Sequence, residues 1–193
     1  MSQKALRSWR NKSTKARVEK NVFQEAVRQI DQTSFTNIAY SENWSKGVLG
    51  IVASRLIEQS YKPTIVMTDS DEELLTGSVR SVSGFDVYEA LSKCEDNIFQ
   101  FGGHKYAAGL KVKKSNFDNF KSQFENTVKK SVSGKMFRKT FSYDLLIDFS
   151  EITLENVKII SRMSPFGLGN NRPVFRTNNC FLDHKLKFIG KES

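Results

Sequence analysis

The segment FGGHKYAAGL, residues 101–110, places two adjacent glycines beside one of only two histidines in the chain. Glycine weakens a strand interior, so Gly102 and Gly103 indicate a bulge or the close approach of another backbone, such as that of a ligand. The imidazole of His104 can donate a hydrogen bond to a phosphate oxygen or stack on a base. A lone histidine is also commonly structural, and no second histidine or acidic residue stands at a spacing that would make His104 a metal ligand.

A second candidate segment is TGSVRS, residues 76–81. Alternate residues of a strand project from the same face, so Ser78 and Arg80 are expected side by side. A guanidinium next to a hydroxyl is suited to binding the oxygens of a phosphate. The alternative is that Arg80 forms an ordinary exposed ion pair.

A third segment, NWSKGVLGIVASR, places Gly47 and Gly50 at the opening of a predicted helix. The free N–H groups and partial positive charge of a helix N-terminus attract phosphate. The alternative is that small residues at this point serve close packing. The sequence shows no Ser–His–Asp triad and no paired carboxylates, so the three segments together predict a phosphate-binding surface without a catalytic group of its own.

Helices and strands alternate in the part of the chain that carries these segments. The predicted elements are helix 14–32, strand 35–41, helix 46–61, strands 63–69 and 74–82, helix 87–94, strand 106–112 and helix 117–130. Phe117, Phe120, Phe124 and Val128 recur on one face of the last helix and predict core. This alternation over about 100 residues is typical of an α/β domain.

The remainder of the chain predicts a second, shorter unit. Residues 131–139 are basic, contain Ser and Gly and show no periodicity, which indicates a linker. A strand over 140–149, a helix over 154–163 and strands within 174–190 follow. This unit is short for a complete β-domain and ends on an apparent strand, so we expect it to be the first part of a larger domain.

Composition limits the functional class. The chain has 193 residues, of which 38% are hydrophobic and 26% charged, which is compatible with a folded core. The net charge is +9, and the first 30 residues hold eight Lys and Arg against two Glu, so the N-terminal helix has either a solvated basic face or a polyanion-binding one. No apolar run of the length that spans a membrane and no secretory signal is present. Cys94 and Cys180 form no metal-binding pattern and are predicted to be buried thiols of a cytoplasmic protein.

Four motifs resemble a known family in their order and spacing. WSKGVLGIVASRL, GSVRS, GFDVYEAL and FGGHKYAAGL closely resemble the DHHA1 domain of RecJ-type single-strand-specific DNA exonucleases. Residues 12–30 resemble the basic helix that leads into DHHA1, and PFGLGNNRPVF, residues 165–175, resembles the segment that opens the OB-fold domain of the same enzymes. The glycine–histidine motif is shared across the DHH phosphoesterase superfamily, and the PFGxGN segment narrows the resemblance to RecJ.

The resemblance implies an α/β fold with a mixed sheet flanked by helices, preceded by a basic helix and followed by a partial OB-like β segment. The expected parts are the basic helix 1–34, DHHA1 35–132, a linker 133–139 and the beginning of the OB-fold domain 140–193. One departure is that Ser45 follows Trp44, where the family commonly has histidine.

The resemblance also implies that catalysis and nucleic-acid binding belong to different domains. An upstream DHH domain, absent from this sequence, holds the Mn²⁺ or Mg²⁺ that activates water; this chain binds no cofactor and is predicted to be inactive alone. Arg80 and His104 would contact phosphate, and the neighbouring residues would shape the pocket. The implied site residues are Ser78, Arg80, Ser81, Gly102, Gly103 and His104.

The partners that follow are single-stranded DNA and the DHH catalytic domain, with no membrane and a monomeric state. The function implied is the nucleic-acid-binding part of a 5′→3′ exonuclease of DNA repair and recombination. Two alternatives stay open: a freestanding or degenerate single-strand-binding module, and a fragment of a DHH-family phosphodiesterase acting on oligonucleotides or cyclic dinucleotides.

Overall fold

The computed structural model describes residues 3–132, 137–178 and 180–181. The chain divides into two units, Met1–Lys139 and Thr140–Ser193. The helices are α1 (Gln3–Val27), α2 (Leu49–Gln59), α3 (Val87–Ser92), α4 (Phe117–Ser131) and α5 (Leu154–Ser161). The strands are β1 (Asn37–Tyr40), β2 (Thr64–Asp69), β3 (Leu74–Arg80), β4 (Gln100–His104), β5 (Ala107–Lys113), β6 (Leu145–Leu146) and β7 (Phe175–Arg176).

The first unit is built on one mixed sheet with the strand order β1-β2-β3-β5-β4. β1 and β2 are parallel and are connected through α2, whereas all other neighbours in the sheet are antiparallel. Helices pack on both faces of this sheet. The α/β fold with a mixed, helix-flanked sheet that the sequence predicts is therefore confirmed.

One face of the sheet, here called the α3/α4 face, carries the larger core. The residues buried there include Ile65, Met67, Leu75, Val79, Leu110 and Val112 from the strands and Phe120, Phe124 and Val128 from α4. The spacing of the α4 residues predicts this burial, and only Phe117 of the predicted set is partly exposed. Asp86 caps the N-terminus of α3, because its carboxylate accepts a hydrogen bond from the Glu89 N–H at 3.0 Å.

The opposite face, here called the α1/α2 face, is covered over only part of its width. α2 packs on β2 and β3, and α1 packs on α2 through Val22 and Ala26. An ion pair of 2.9 Å between Arg55 and Glu19 also joins the two helices. The same face of β4 and β5 is left exposed to solvent.

The glycine–histidine segment forms a hairpin, whereas the sequence predicts one strand over 106–112. β4 and β5 pair in antiparallel register across a turn at Lys105 and Tyr106. The turn has no Gly, Asn, Asp or Pro, which are the residues that mark hairpin turns in a sequence. The predicted strand over 106–112 is confirmed as β5, and β4 was missed for this reason.

The cysteines differ from each other. Cys94 is buried in the α3/α4 core, and burial raises the pKa of its thiol. Cys180 is exposed, so the prediction that both thiols are buried was wrong for Cys180.

The second unit contains α5 and the short parallel pair β6–β7. The strand predicted over 140–149 is confined to β6, because Asp148 caps a 3₁₀ turn, Phe149–Glu151, directly after it. Of the strands predicted within 174–190, β7 is observed; residue 179 and residues 182–190 lie outside the described residues, as do 133–136 of the predicted linker. Among the described helices, none combines the length and apolar composition that a membrane crossing requires.

Candidate nucleic-acid interface

Three rows of residues cross β3, β5 and β4 on the α1/α2 face. Directly paired residues of antiparallel strands share a face of the sheet. Read from β3 to β4, the rows are Arg80–Ala107–His104, Ser78–Gly109–Gly102 and Thr76–Lys111–Gln100. Neighbouring strands lie about 4.8 Å apart, so the Arg80 and His104 backbones are about 10 Å apart with only a methyl group between them.

Gly109 and Gly102 of the middle row form a floor without side chains, here called the glycine floor. A Cβ added at Gly102 would meet no atom within 4 Å, and one added at Gly109 would meet only the Gly77 carbonyl oxygen at 3.9 Å. Packing within the described residues therefore does not require glycine at either position. A groove of about 310 Å³ lies over these two residues, with Thr76, Gln100 and Lys111 in its lining.

Gly103 has a different role from Gly102. Its φ is +152°, and a Cβ there would collide with the Ala107 carbonyl oxygen and lie 2.5 Å from the Ala108 Cα. Gly103 pairs with Ala108 and belongs to the α3/α4 face. The backbone that approaches Gly103 is therefore that of its own hairpin partner.

Arg80 is half-buried between β3 and the first turn of α2. Its Nη1 donates hydrogen bonds to the Ser78 Oγ at 3.0 Å and to the Val79 carbonyl oxygen at 2.8 Å. None of the ion pairs formed by the described residues involves Arg80. The guanidinium is thus a positive charge held next to the glycine floor, and no carboxylate among the described residues neutralises it.

His104 is exposed at the end of β4, in the row of Arg80. Its Nδ1 accepts a hydrogen bond from the Tyr106 N–H at 3.4 Å. In the neutral ring the hydrogen is therefore on Nε2, where it can be donated to a ligand.

Ser81 is engaged in the turn that follows β3. Its Oγ donates to the Phe85 carbonyl oxygen at 2.9 Å, and its N–H donates to the Tyr106 carbonyl oxygen at 2.9 Å. The first bond closes the loop between β3 and α3, and the second ties the end of β3 to the hairpin turn. The structure therefore places Ser78, Arg80, Gly102 and His104 on the α1/α2 face of the sheet. Ser78 and Arg80 lie against the first turn of α2, and Gly102 and His104 lie on the part that α2 leaves exposed. Ser81 and Gly103 are in supporting positions.

The predicted site omits residues that only the strand register reveals. Gly109 completes the floor, and Lys111 adds a half-buried cation one row further along. Two-residue alternation from Ala107 gives Gly109 and Lys111 the same face, a signal that becomes readable once the turn at 105–106 is recognised.

The described residues hold no group of three or more His, Cys, Asp or Glu side chains arranged to bind a metal ion. The chemistry available at the groove is hydrogen bonding and charge, and no metal-dependent step is assigned to it.

Comparison with protein families assigns both units. The family model of the DHHA1 domain matches residues 26–130, which is more than half of the chain. The chain belongs to the DHHA1 domain family. The model of the RecJ OB domain matches residues 143–193, so the RecJ resemblance found in the motifs is confirmed.

Curated relatives support the same assignment of this DHHA1 protein. It is 32% identical over 167 residues to the single-stranded-DNA-specific exonuclease RecJ of Bacillus subtilis, covering 84% of the chain and 21% of the relative. It is 33% identical over 150 residues to RecJ of Haemophilus influenzae, covering 76% of the chain and 26% of the relative. The chain spans about a fifth to a quarter of the length of these relatives.

Solved structures share its fold. RecJ of Thermus thermophilus in complex with Mn²⁺ superimposes with a TM-score of 0.73 at 24% identity, over 86% of this chain and 24% of that one. An exonuclease RecJ bound to manganese matches with a TM-score of 0.55 at 28% identity, over 60% of this chain and 29% of that one.

Proposed function

We propose that this chain is the DNA-gripping DHHA1 and OB portion of a RecJ-like 5′→3′ single-stranded DNA exonuclease of repair and recombination. A separate DHH domain would supply the metal-dependent hydrolysis. The observation that carries this proposal is the row Arg80–Ala107–His104 beside the floor of Gly102 and Gly109. The family assignment supports it, because the relatives are named for action on single-stranded DNA.

The groove suits a sugar–phosphate backbone. The bare floor lets a strand approach the sheet without meeting a side chain. Arg80 can direct N–H groups to phosphate oxygens from one side, and the Nε2 of His104 can donate from the other. Contacts of this kind fix the position of the strand without reading its sequence.

Tyr106 and Lys111 extend the interface beyond one phosphate. Tyr106 is 48% exposed in the hairpin turn, two residues after His104, and offers a ring on which an unpaired base can stack. Lys111 adds positive charge along the groove. A surface that combines cations with an exposed ring favours a single strand, because only a single strand presents free base faces.

In this proposal the chain increases the rate of hydrolysis by positioning the DNA. Holding the backbone in one register would place the scissile phosphate against the metals of the DHH domain, which converts an encounter into an ordered reaction. We further propose a cytoplasmic location and a monomeric state, together with the predicted boundaries at 34/35, 132/133 and 139/140.

The test compares two arginine variants by fluorescence anisotropy with a labelled oligothymidylate. Arg80→Ala should weaken binding by about 1.5–3 kcal/mol, the range for hydrogen bonds to charged groups. Arg55→Ala is the matched control, because Arg55 contacts Glu19 and the Phe23 ring on the side of α2 toward α1. Equal losses for both variants, or none for Arg80→Ala, would refute the proposed site.

A further inference from the structure

Gly50 occupies the first turn of α2, where the backbone is helical and does not require glycine. Glycine destabilises a helix relative to alanine, because it loses more conformational freedom on folding. Its presence at this position therefore needs a steric reason.

The reason is the approach of β3. A Cβ built on Gly50 would lie 2.7 Å from Nη2 and 3.5 Å from Cζ of Arg80, and 3.2 Å from the Ser78 Oγ. The first of these distances is shorter than any packed contact between carbon and nitrogen. The guanidinium thus fills the space that a side chain at position 50 would take.

We propose that Gly50 is a positioning residue for Arg80. By lacking a side chain, it leaves a slot between α2 and β3 that holds the guanidinium against Ser78, beside the glycine floor. This inference rests on the proposed function, since it assigns a role to Gly50 in the same phosphate-binding site. In this proposal α2 shapes the binding site through this slot, and Gly50 itself does not contact the bound DNA.

Fixing the guanidinium in advance matters because arginine has a long side chain with many rotamers. A ligand that binds a free arginine must pay for ordering it, whereas a guanidinium already held by Ser78 and by the slot is in place before the strand arrives. Any residue larger than glycine at position 50 should displace the guanidinium and lose this advantage.

The experiment is Gly50→Ala with Gly47→Ala as the matched control. Gly47→Ala adds one methyl group in the 3₁₀ turn Lys46–Val48 that leads into α2, and Gly50→Ala adds one in the first turn of α2. A Cβ at Gly47 would meet only the Ser45 Oγ at 3.9 Å. Gly50→Ala should fold, because the atom it displaces is the end of a flexible side chain. It should weaken oligothymidylate binding about tenfold or more, whereas Gly47→Ala should bind like the wild-type chain.

A double-mutant cycle separates this role from a general structural one. In the Arg80→Ala background, Gly50→Ala should cause no further loss of affinity, since no guanidinium remains to be displaced. A full additional loss in that background would overturn the inference, as would a Gly50→Ala protein that binds normally or fails to fold. If Arg80→Ala itself has no effect, the proposed function fails instead.

Salt dependence gives a second readout. Removing one phosphate contact from a single strand reduces the slope of log K against log salt by about 0.7. Arg80→Ala should show this reduced slope. Gly50→Ala keeps the charge and loses only its preorganised position, so its slope, like that of Gly47→Ala, should stay close to the wild-type slope while its affinity falls. A Gly50→Ala slope as shallow as that of Arg80→Ala would overturn the role of Gly50 in ordering the guanidinium.

Discussion

The two adjacent glycines of the hairpin differ in what a side chain would meet, and this difference gives a prediction for each. Gly103→Ala should destabilise the first unit by about 2–3 kcal/mol or more, because the added methyl meets the Ala107–Ala108 backbone at a φ of +152°. Gly102→Ala should leave stability nearly unchanged and weaken single-strand binding, because its methyl would stand in the open groove. Urea unfolding and oligonucleotide titration of both variants check this pair, and a Gly102→Ala protein that binds normally would remove the floor from the site.

Also at the residue scale, the sequence indicated which residues could form the site, but it did not indicate which residues they would contact. The alternation of Ser78 and Arg80 in a strand predicts that they share a face, and they do. The pairing of Ser78 with Gly109 and of Gly109 with Gly102 depends on a hairpin whose turn carries no turn-forming residue. The approach of Arg80 to Gly50 is a contact between distant segments, which no local pattern encodes.

At the scale of elements, the helices with regular apolar spacing were the most predictable. Phe120, Phe124 and Val128 are spaced for one helix face and are fully buried. The short elements of the second unit were less predictable from the sequence, because a capped 3₁₀ turn ends β6 after two residues. At the C-terminal ends of β1 and β2, a cluster of three polar side chains connects these strands with the turn before α4. Sequence periodicity does not reveal this cluster, which consists of Tyr40, Asp69 and Lys114.

This cluster, which links β1, β2 and the turn before α4, predicts a loss of stability at alkaline pH. The Tyr40 hydroxyl donates to Asp69 at 2.7 Å, and this hydrogen bond, with burial, raises the pKa of Tyr40 to about 12 from its ordinary value of 10.0. The raised pKa favours the protonated phenol in the folded state. Its contribution is therefore complete below about pH 10 and is lost as the pH rises toward 12.

Tyr40→Phe tests this linkage. The variant should lose about 1 kcal/mol of unfolding free energy at neutral pH, the typical net value of one hydrogen bond. The difference from the wild-type chain should shrink between pH 10 and 12, and the tyrosinate absorbance that the wild-type chain gains over the variant should develop as the pH rises toward 12. A difference in stability that stays constant over this interval would show that Tyr40 does not titrate as described.

At the scale of the whole molecule, the positive charge is the dominant feature. The net charge is +9, and the N-terminal part of α1 is basic. The two glutamates of α1 are already engaged, Glu19 by Arg55 and Glu25 by the Trp44 indole N–H. The first unit therefore presents an excess of cations toward a polyanion, which raises association rates as well as affinity.

This excess predicts a strong dependence of DNA binding on salt, with a component that belongs to the groove. For a single strand, log K should fall linearly with log salt with a slope of about −0.7 for each phosphate neutralised. His104→Gln keeps a hydrogen-bond donor, so it should lower affinity only modestly, whereas Lys111→Gln removes a positive charge and should make the slope shallower by about 0.7. Titrations between about 50 and 200 mM salt measure both slopes. If Lys111→Gln keeps the wild-type slope, the DNA strand does not run along the third row, and the interface is limited to Arg80, His104 and the two glycines of the middle row.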